Sequence, residues 1–394
     1  MKITFSAKPQ RGKGAENFHC SLTLYGGVNT NEDIVFHARR KESRIVIMIR
    51  VLIVDDSPTV RLTLQTILES DSQIKVVGYA SNGKEALDRA MQLRPDLITM
   101  DVLMPEMDGI DATRLIMAQC PTPIVIVTTH LSDPELEIGF NALQAGAVQV
   151  IDKPANAFAP ESVSERAALV TTIKLMSEVR VVQRRFDTLH HGARPPLPVQ
   201  ESMPSLVEVV AIGASTGGPA ALNTILGALP ADFPASILIV QHITVGFTLG
   251  LAAWLQHRCR LPIHVAQAEE RIQPGMVYIA PDACHLLVAK DRRLQLNTSA
   301  LVNHVRPSAN VLFESIGMVY GAKAIGILLT GMGEDGALGL RAIHQSGGLT
   351  IAQDEATSVV YGMPRAAAEL GACSTILPID QIAAFLVRTV MHRR

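Results

Sequence analysis

The sequence predicts an α/β protein of two doubly wound domains with mainly parallel sheets, and three observations carry that prediction. Short apolar strands alternate with amphipathic helical stretches from residue 50 to about 154, the pattern of a parallel sheet covered on both faces. A second alternating run extends from about residue 205 to the C terminus. Between them lies TLHHGARPPLPVQESMPS, whose prolines allow neither a core strand nor a long helix, so it reads as a linker. A chain of 394 residues also exceeds one ordinary core.

Taken in order, residues 1–48 are polar, rich in Lys and Arg, and without sustained periodicity. Their opening MKITFSAKPQRGKG lacks the apolar segment of a secretory signal. Met48 directly precedes the first clear strand, so these residues read as an over-long start, with a disordered or accessory extension as the alternative. The first domain, residues 49–166, then runs through strand IRVLIVDD, helix VRLTLQTILES, strand IKVVGYA, helix KEALDRAMQL and strands PDLITMDV, IVIVTTH and VQVIDKP. The helical stretch SERAALVTTIKLMSEVRVV falls at the junction with a linker assigned to residues 167–204. In the second domain, residues 205–394, the strands read VEVVAIG, SILIVQH, MVYIAP, HLLVA, AIGILLTG and LTIAQ.

Apolar residues make up 48% of the chain and charged residues 18%, a globular balance. A net charge of −2 gives no reason to expect a nucleic-acid or anionic-membrane surface, and Gly, Pro or a charge interrupts every apolar run before membrane-spanning length. The five cysteines are odd in number and lack CxxC spacing, so they read as reduced thiols of a cytosolic protein.

Ligands bind outside the carboxyl ends of the strands in a doubly wound sheet. In the first domain Asp55 and Asp56 close one strand, Asp101 another, Thr128 a third, and Lys153 follows a fourth. One such aspartate alone would be an ordinary helix cap. Three clustered carboxylates repel one another and imply a bound hard cation, Mg²⁺ above all, while a hydroxyl and an ammonium opposite them suit phosphoryl oxygens.

In the second domain, VEVVAIGASTGGPAALNTIL places Ser215 between glycines at a strand-to-helix turn. The pattern fits G-x-S-x-G, the turn that exposes a serine nucleophile. It lacks both the G-x-G-x-x-G spacing and the Lys-Ser/Thr of phosphate-binding loops, so its free N–H groups suit an oxyanion better. A serine needs a base. Of twelve histidines, His242 ends strand SILIVQH as Ser215 ends its own, while His285, His257 and His264 compete with it. The orienting acid is one of Asp282, Asp335 and Asp354; Asp335 is favoured because the glycine-rich TGMGEDGALG lets its backbone approach a crowded site. The order Ser, His, Asp matches none of the α/β-hydrolase, chymotrypsin or subtilisin orders.

The first domain, with MPEMDG after Asp101 and the Lys153–Pro154 pair, resembles the receiver domain of response regulators. The second, with VVAIGASTGGP, IVQH, YIAPDACHLLV, RPSANVLFES, LLTGMGEDG and QDEATSVVYGMP, resembles the CheB family of chemotaxis receptor methylesterases. The resemblance implies a flavodoxin-like receiver followed by a Rossmann-like esterase domain. In the receiver it implies that Asp101 accepts a phosphoryl group from a CheA-type histidine kinase. Asp56, Asp101 and the Leu103 carbonyl would hold Mg²⁺, Asp55 would act through water, and Thr128 and Lys153 would hold the phosphoryl oxygens. A cis Lys153–Pro154 bond would help aim Lys153. In the esterase it implies Ser215 as nucleophile, His242 as base and Asp335 as orienting acid, with Thr216 supporting and Met332 shaping the oxyanion region through its backbone.

The implied activity is removal of methyl groups from γ-glutamyl esters of methyl-accepting chemotaxis receptors, with deamidation of receptor glutamine on the same machinery. No nucleic acid, membrane insertion or esterase cofactor is expected. A receiver-controlled adaptor without catalysis is the rival reading. Three departures stand out: Val150 where many receivers carry an aromatic switch residue, ITVGFT after His242 where a proline-containing turn is common, and Asn310 where Asp is frequent.

Overall fold

A computed structural model of the chain describes residues 7–9, 18–20, 48–128, 133–154, 162–179, 181 and 207–391. The remainder of the expected N-terminal extension and the proline-rich linker lie outside the described residues. Strands β1 (Ala7–Pro9) and β2 (Phe18–Cys20) form a short antiparallel pair.

The first sheet contains β3 (Ile49–Val54), β4 (Ile74–Ala80), β5 (Leu97–Met100), β6 (Ile124–Thr128) and β7 (Gln149–Asp152), all parallel in the order β4-β3-β5-β6-β7. Helices α1 (Pro58–Leu68), α2 (Gly83–Leu93), α3 (Gly109–Gln119) and α4 (Asp133–Ala145) connect successive strands. Each of the first three starts where the sequence supplies a cap: Ser57, Asn82 and Asp108 accept an N–H from the first turn, which would otherwise go unpaired. Helix α5 (Val163–Ser177) runs across residue 166, where the first domain is expected to end. Its Leu169, Ile173 and Met176 pack with Val51, Ile53 and Leu64, and Lys174 reaches Asp71 at 2.9 Å. The apolar stripe of α5 is thus buried against the first sheet.

The second sheet has seven parallel strands: β8 (Val209–Ala214), β9 (Ser236–Gln241), β10 (Ile263–Val265), β11 (Val277–Ile279), β14 (Ala324–Leu328), β15 (Leu349–Gln353) and β16 (Thr375–Leu377). Their order is β10-β11-β9-β8-β14-β15-β16. Helices α6 (Gly218–Ala228), α7 (Thr248–Gln256), α8 (Ala309–Tyr320), α9 (Ala337–Gln345), α10 (Met363–Glu369) and α11 (Ile379–Met391) accompany it. The central β8 and β9 are buried at every position, which accounts for their unbroken apolar runs. HLLVA, expected as a further sheet strand, is instead β12 (His285–Val288), paired antiparallel with β13 (Leu294–Asn297) in a separate hairpin.

From β8 the chain moves outward on one side through β9, then returns to the other side at β14. The carboxyl ends of β8 and β14 therefore bracket the switch point, where such sheets bind ligands.

Across the two sheets, α4 packs on α6 and α7. Phe140 stacks on Trp254 with ring centroids 5.4 Å apart, and Trp254 Nε1 donates to Asn141 Oδ1 at 3.1 Å.

Candidate active site

Ser215 is the first residue beyond β8, at the switch point. Its N–H donates to Thr330 O at 3.0 Å, which pins it to the chain leaving β14. Two glycines make that turn possible. Gly217 has φ +77, a conformation that strains any side-chain-bearing residue, and α6 begins directly after it. A Cβ on Gly331 would lie 2.7 Å from Ser215 Cβ and 2.3 Å from Met363 Sδ, so the loop carrying Met332 can approach the serine only because position 331 has no side chain.

His242 follows β9, the strand beside β8, and Asp335 lies in the loop after β14. His242 Nε2 and Asp335 Oδ2 are 3.0 Å apart. With Nε2–H donating to the carboxylate, Nδ1 is the ring nitrogen left to take a proton. Ser215 and His242 line one small pocket together with Gly217, Gln241 and Phe247. No hydrogen bond joins the Ser215 hydroxyl to the ring among the described contacts.

Asp335 is 3% exposed and accepts from Ser308 Oγ at 2.6 Å and Ala309 N at 2.6 Å as well as from His242. Burial alone would push its carboxyl up. The His242 hydrogen bond and charge, with the Ser308 and Ala309 donors, outweigh burial and hold it below the ordinary value, so it remains an anion beside the imidazole.

The competing candidates are engaged elsewhere. Asp282 accepts from Gly246 N at 3.0 Å and Thr248 Oγ1 at 2.5 Å, fixing the loop after His242, and Asp354 closes its own turn on Thr357. His264 pairs with Glu270 at 2.8 Å, His257 caps the end of α7, and His285 is fully buried. Thr216 is buried beside the serine, its carbonyl accepting from Thr330 Oγ1 at 2.9 Å. Asn310, in place of the more frequent Asp, accepts Gly339 N at 2.7 Å and so ties α8 to α9.

Sequence reasoning missed two supporting residues. Gln241 Nε2 donates to Ser215 O at 2.8 Å and to His242 O at 2.9 Å, joining the two strand ends through one amide. Ser308, within RPSAN, holds Asp335. Both fall within stretches that carry the family resemblance, IVQH and RPSANVLFES, and that is the signal in the sequence that points to them.

At the carboxyl edge of the first sheet, Asp55, Asp56 and Asp101 bring one carboxylate oxygen each within 4.8 Å of one another. Lys153 Nζ lies 2.6 Å from Asp101 Oδ2 and 2.8 Å from Asp55 Oδ2, although only the first contact has hydrogen-bond geometry. Burial pushes the Asp101 carboxyl up more than Lys153 lowers it. Burial also disfavours the Lys153 cation, but the two carboxylates win and hold it above the ordinary lysine value. Three carboxylates around one point, with a partly unsatisfied buried oxygen on Asp55, form a donor set that fits a divalent cation. Thr128 ends β6 at the same edge, and the Leu103 side chain is exposed on the loop after β5. Lys153–Pro154 is not cis; the cis bond among the described residues is Arg306–Pro307. Lys153 is aimed instead by its N–H, donated to Thr128 O at 2.7 Å, and by its two carboxylate partners.

The two edges meet. Phe140, Leu143, Val148, Gln149 and Val150, from α4 and the start of β7, line the same pocket as Ser215 and His242. Val150, at the position of the expected aromatic switch residue, is 7% exposed and faces this junction.

Residues 51–160 match the family model for the response regulator receiver domain, and residues 210–386 match that for CheB methylesterase. The chain is 43% identical to protein-glutamate methylesterase/protein-glutamine glutaminase 4 of Geobacter metallireducens over 88% of its own length and all of that relative. It is 46% identical to protein-glutamate methylesterase/protein-glutamine glutaminase 1 of Syntrophus aciditrophicus over 86% of its length and 98% of that relative. Among solved structures, the Thermotoga maritima CheB methylesterase catalytic domain is similar over 46% of this chain and 98% of its own, at 39% identity and a TM-score of 0.45.

Proposed function

The chain belongs to the CheB methylesterase family, and from that premise we propose a phosphorylation-activated protein-glutamate methylesterase and protein-glutamine deamidase acting on methyl-accepting chemotaxis receptors. The observation that carries the chemistry is the convergence of Ser215, His242 and Asp335 on three adjacent strand ends, with His242 fixed on a buried carboxylate.

Ser215 Oγ attacks the γ-carbonyl carbon of a methylated receptor glutamate while the free nitrogen of His242 takes its proton. The tetrahedral oxyanion is met by N–H groups of the turn that opens α6 and by the Met332 loop, each donor worth about 3 kcal/mol in the transition state. Methanol leaves with the proton from His242. Water, deprotonated by the same ring, then opens the acyl-enzyme to restore glutamate and free serine. An amide in place of the ester gives ammonia and the same glutamate. Asp335 keeps the ring in one tautomer and stabilises the imidazolium.

The first sheet with α1–α5 acts as the receiver and the second sheet as the esterase. Asp56, Asp101 and the Leu103 carbonyl would hold Mg²⁺, with Asp55 acting through water; the ion would neutralise charge on a transferring phosphoryl group. Asp101 accepts that group from a CheA-type histidine kinase in the cytoplasm, and Thr128 and Lys153 hold its oxygens. Lys153 must then divide its charge between Asp55 and the phosphoryl group. That change favours a receiver arrangement with a weaker hold on α7, uncovering the pocket now walled by Phe140, Leu143 and Val150.

Methanol release from methylated receptor membranes tests the reading. Release that rises with a small phosphodonor and Mg²⁺ is expected, and it should vanish in Ser215→Ala. No release under any condition sinks the esterase and leaves a receiver-controlled adaptor.

A further inference from the structure

His285 competes with His242 for the role of base in the sequence, yet the fold seals it behind the acid of the site. It opens β12, is 0% exposed, and uses both ring nitrogens. Nδ1 receives the N–H of Ser308 at 3.1 Å, and Nε2 lies 3.1 Å from Ala300 O. A backbone N–H can only donate and a carbonyl can only accept. Both contacts are therefore satisfied together in one form alone, the neutral ring with its proton on Nε2. A protonated ring would set Nδ1–H against the Ser308 N–H.

Ser308 is also 0% exposed, and what it does next matters for Asp335. Its hydroxyl donates to Asp335 Oδ1 at 2.6 Å, and the following N–H, that of Ala309, donates to Oδ2 at 2.6 Å. Two of the three donors on the Asp335 carboxylate thus come from one turn, and the third is His242 at 3.0 Å. The position of the turn fixes the plane of the carboxylate, and that plane fixes the hydrogen bond to His242.

We propose that His285, in its neutral Nε2–H form, is a positioning residue for catalysis: it anchors the Ser308–Ala309 turn that holds Asp335 in line with His242. The proposal rests on the roles assigned above to Ser215, His242 and Asp335. The plainer alternative is a core histidine that contributes stability only. The two differ in what a substitution changes. A positioning residue alters turnover at constant substrate affinity, and the acceptor facing Ser308 matters more than the donor facing Ala300.

In the full chain, His285→Asn places an amide oxygen where Nδ1 stands and keeps the acceptor for Ser308. His285→Gln reaches the Nε2 position and keeps only the donor. Two rates are measured for each: methanol release from methylated receptor membranes, and labelling of Ser215 by a fluorophosphonate, which needs no receptor. Outer hydrogen-bonding partners of metal ligands typically are worth about 10- to 100-fold, and a partner that holds the orienting acid should matter on the same order. His285→Asn should stay within a few-fold of the parent, whereas His285→Gln should fall by about tenfold or more in kcat and in labelling rate with KM unchanged. Equal rates for the two variants, or a lowered melting temperature with normal kcat in the folded protein, would overturn the proposal. Should the His285 variants fail to fold, Ser308→Ala removes the next link, the hydroxyl on Asp335, while the backbone N–H still meets His285; labelling should slow by about tenfold, and unchanged labelling overturns the idea that this turn positions Asp335. Labelling that follows the expected order while even the parent releases no methanol would uphold the relay and reject the receptor-ester substrate.

Discussion

Loosening the contact between α4 and α7 should switch the esterase on without any phosphodonor. Phe140 is 2% exposed, and its ring stacks on Trp254 while Asn141 accepts the indole N–H at 3.1 Å. The stack on Trp254 and the Asn141 hydrogen bond cross to α7, so these two contacts set the magnitude. An aromatic pair of this kind contributes about 1 kcal/mol beyond its area, and a neutral hydrogen bond about 1 kcal/mol more. Removing both should shift the covered-to-open equilibrium by about 2 kcal/mol, roughly 30-fold, and removing the stack alone by about fivefold. Phe140→Ala, alone and with Asn141→Ala, should therefore raise basal methanol release by those factors and leave the phosphodonor-stimulated rate unchanged. The chain has a single tryptophan, so Trp254 emission reports the loss of the stack directly. If the emission moves to the red while basal release stays flat, the shared wall of the pocket does not restrain the enzyme and the coupling argument fails.

Ser215→Ala should lose about 10⁶-fold in turnover, basal and stimulated alike, and Asp335→Asn about 10⁴-fold by favouring the wrong tautomer; single-turnover methanol release checks both. Asp101→Asn should keep the basal rate and lose all response to phosphodonor and Mg²⁺, and any residual stimulation would place the acceptor elsewhere. Burial raises the Cys373 thiol to about 11 from its ordinary 9.0. The folded protein thus holds this proton more tightly than the unfolded chain, so the associated stability is intact below pH ~9 and drains as pH rises through about 11. Alkylation of Cys373 at pH 8 should accordingly be far slower in the native protein than in urea, and equal rates would contradict the burial.

The receiver edge was legible in the sequence because its signal is local. Asp55, Asp101, Thr128 and Lys153 each close an apolar run, and a parallel sheet brings all such ends to one edge whatever the details of packing. Ser215 was legible for the same reason, with glycines marking the turn. The acid was harder. Asp282, Asp335 and Asp354 all follow strands, and only the fold shows that Thr248 claims the first and Thr357 the last. α5 was split by the expected boundary because its apolar stripe says that it is buried, not against what.

The least legible feature, the contact of α4 with α7, bears most directly on the proposed regulation. It joins Asn141 to Trp254, more than a hundred residues away in sequence, and neither side chain differs in kind from an ordinary core or surface residue. Chemistry at strand ends is written position by position, whereas control here lies in the fit of two surfaces. The substitution of Val150 for an aromatic switch residue belongs to that second kind of information. Buried beside the pocket, it leaves no bulky ring to swing inward, so on the proposed reading a signal from Asp101 would reach Ser215 through displacement of α4 and β7 as packed elements. A relay of that form predicts that enlarging Val150 to Tyr in the unphosphorylated protein wedges the junction and raises basal release, and unchanged basal release would return the relay to a single side chain.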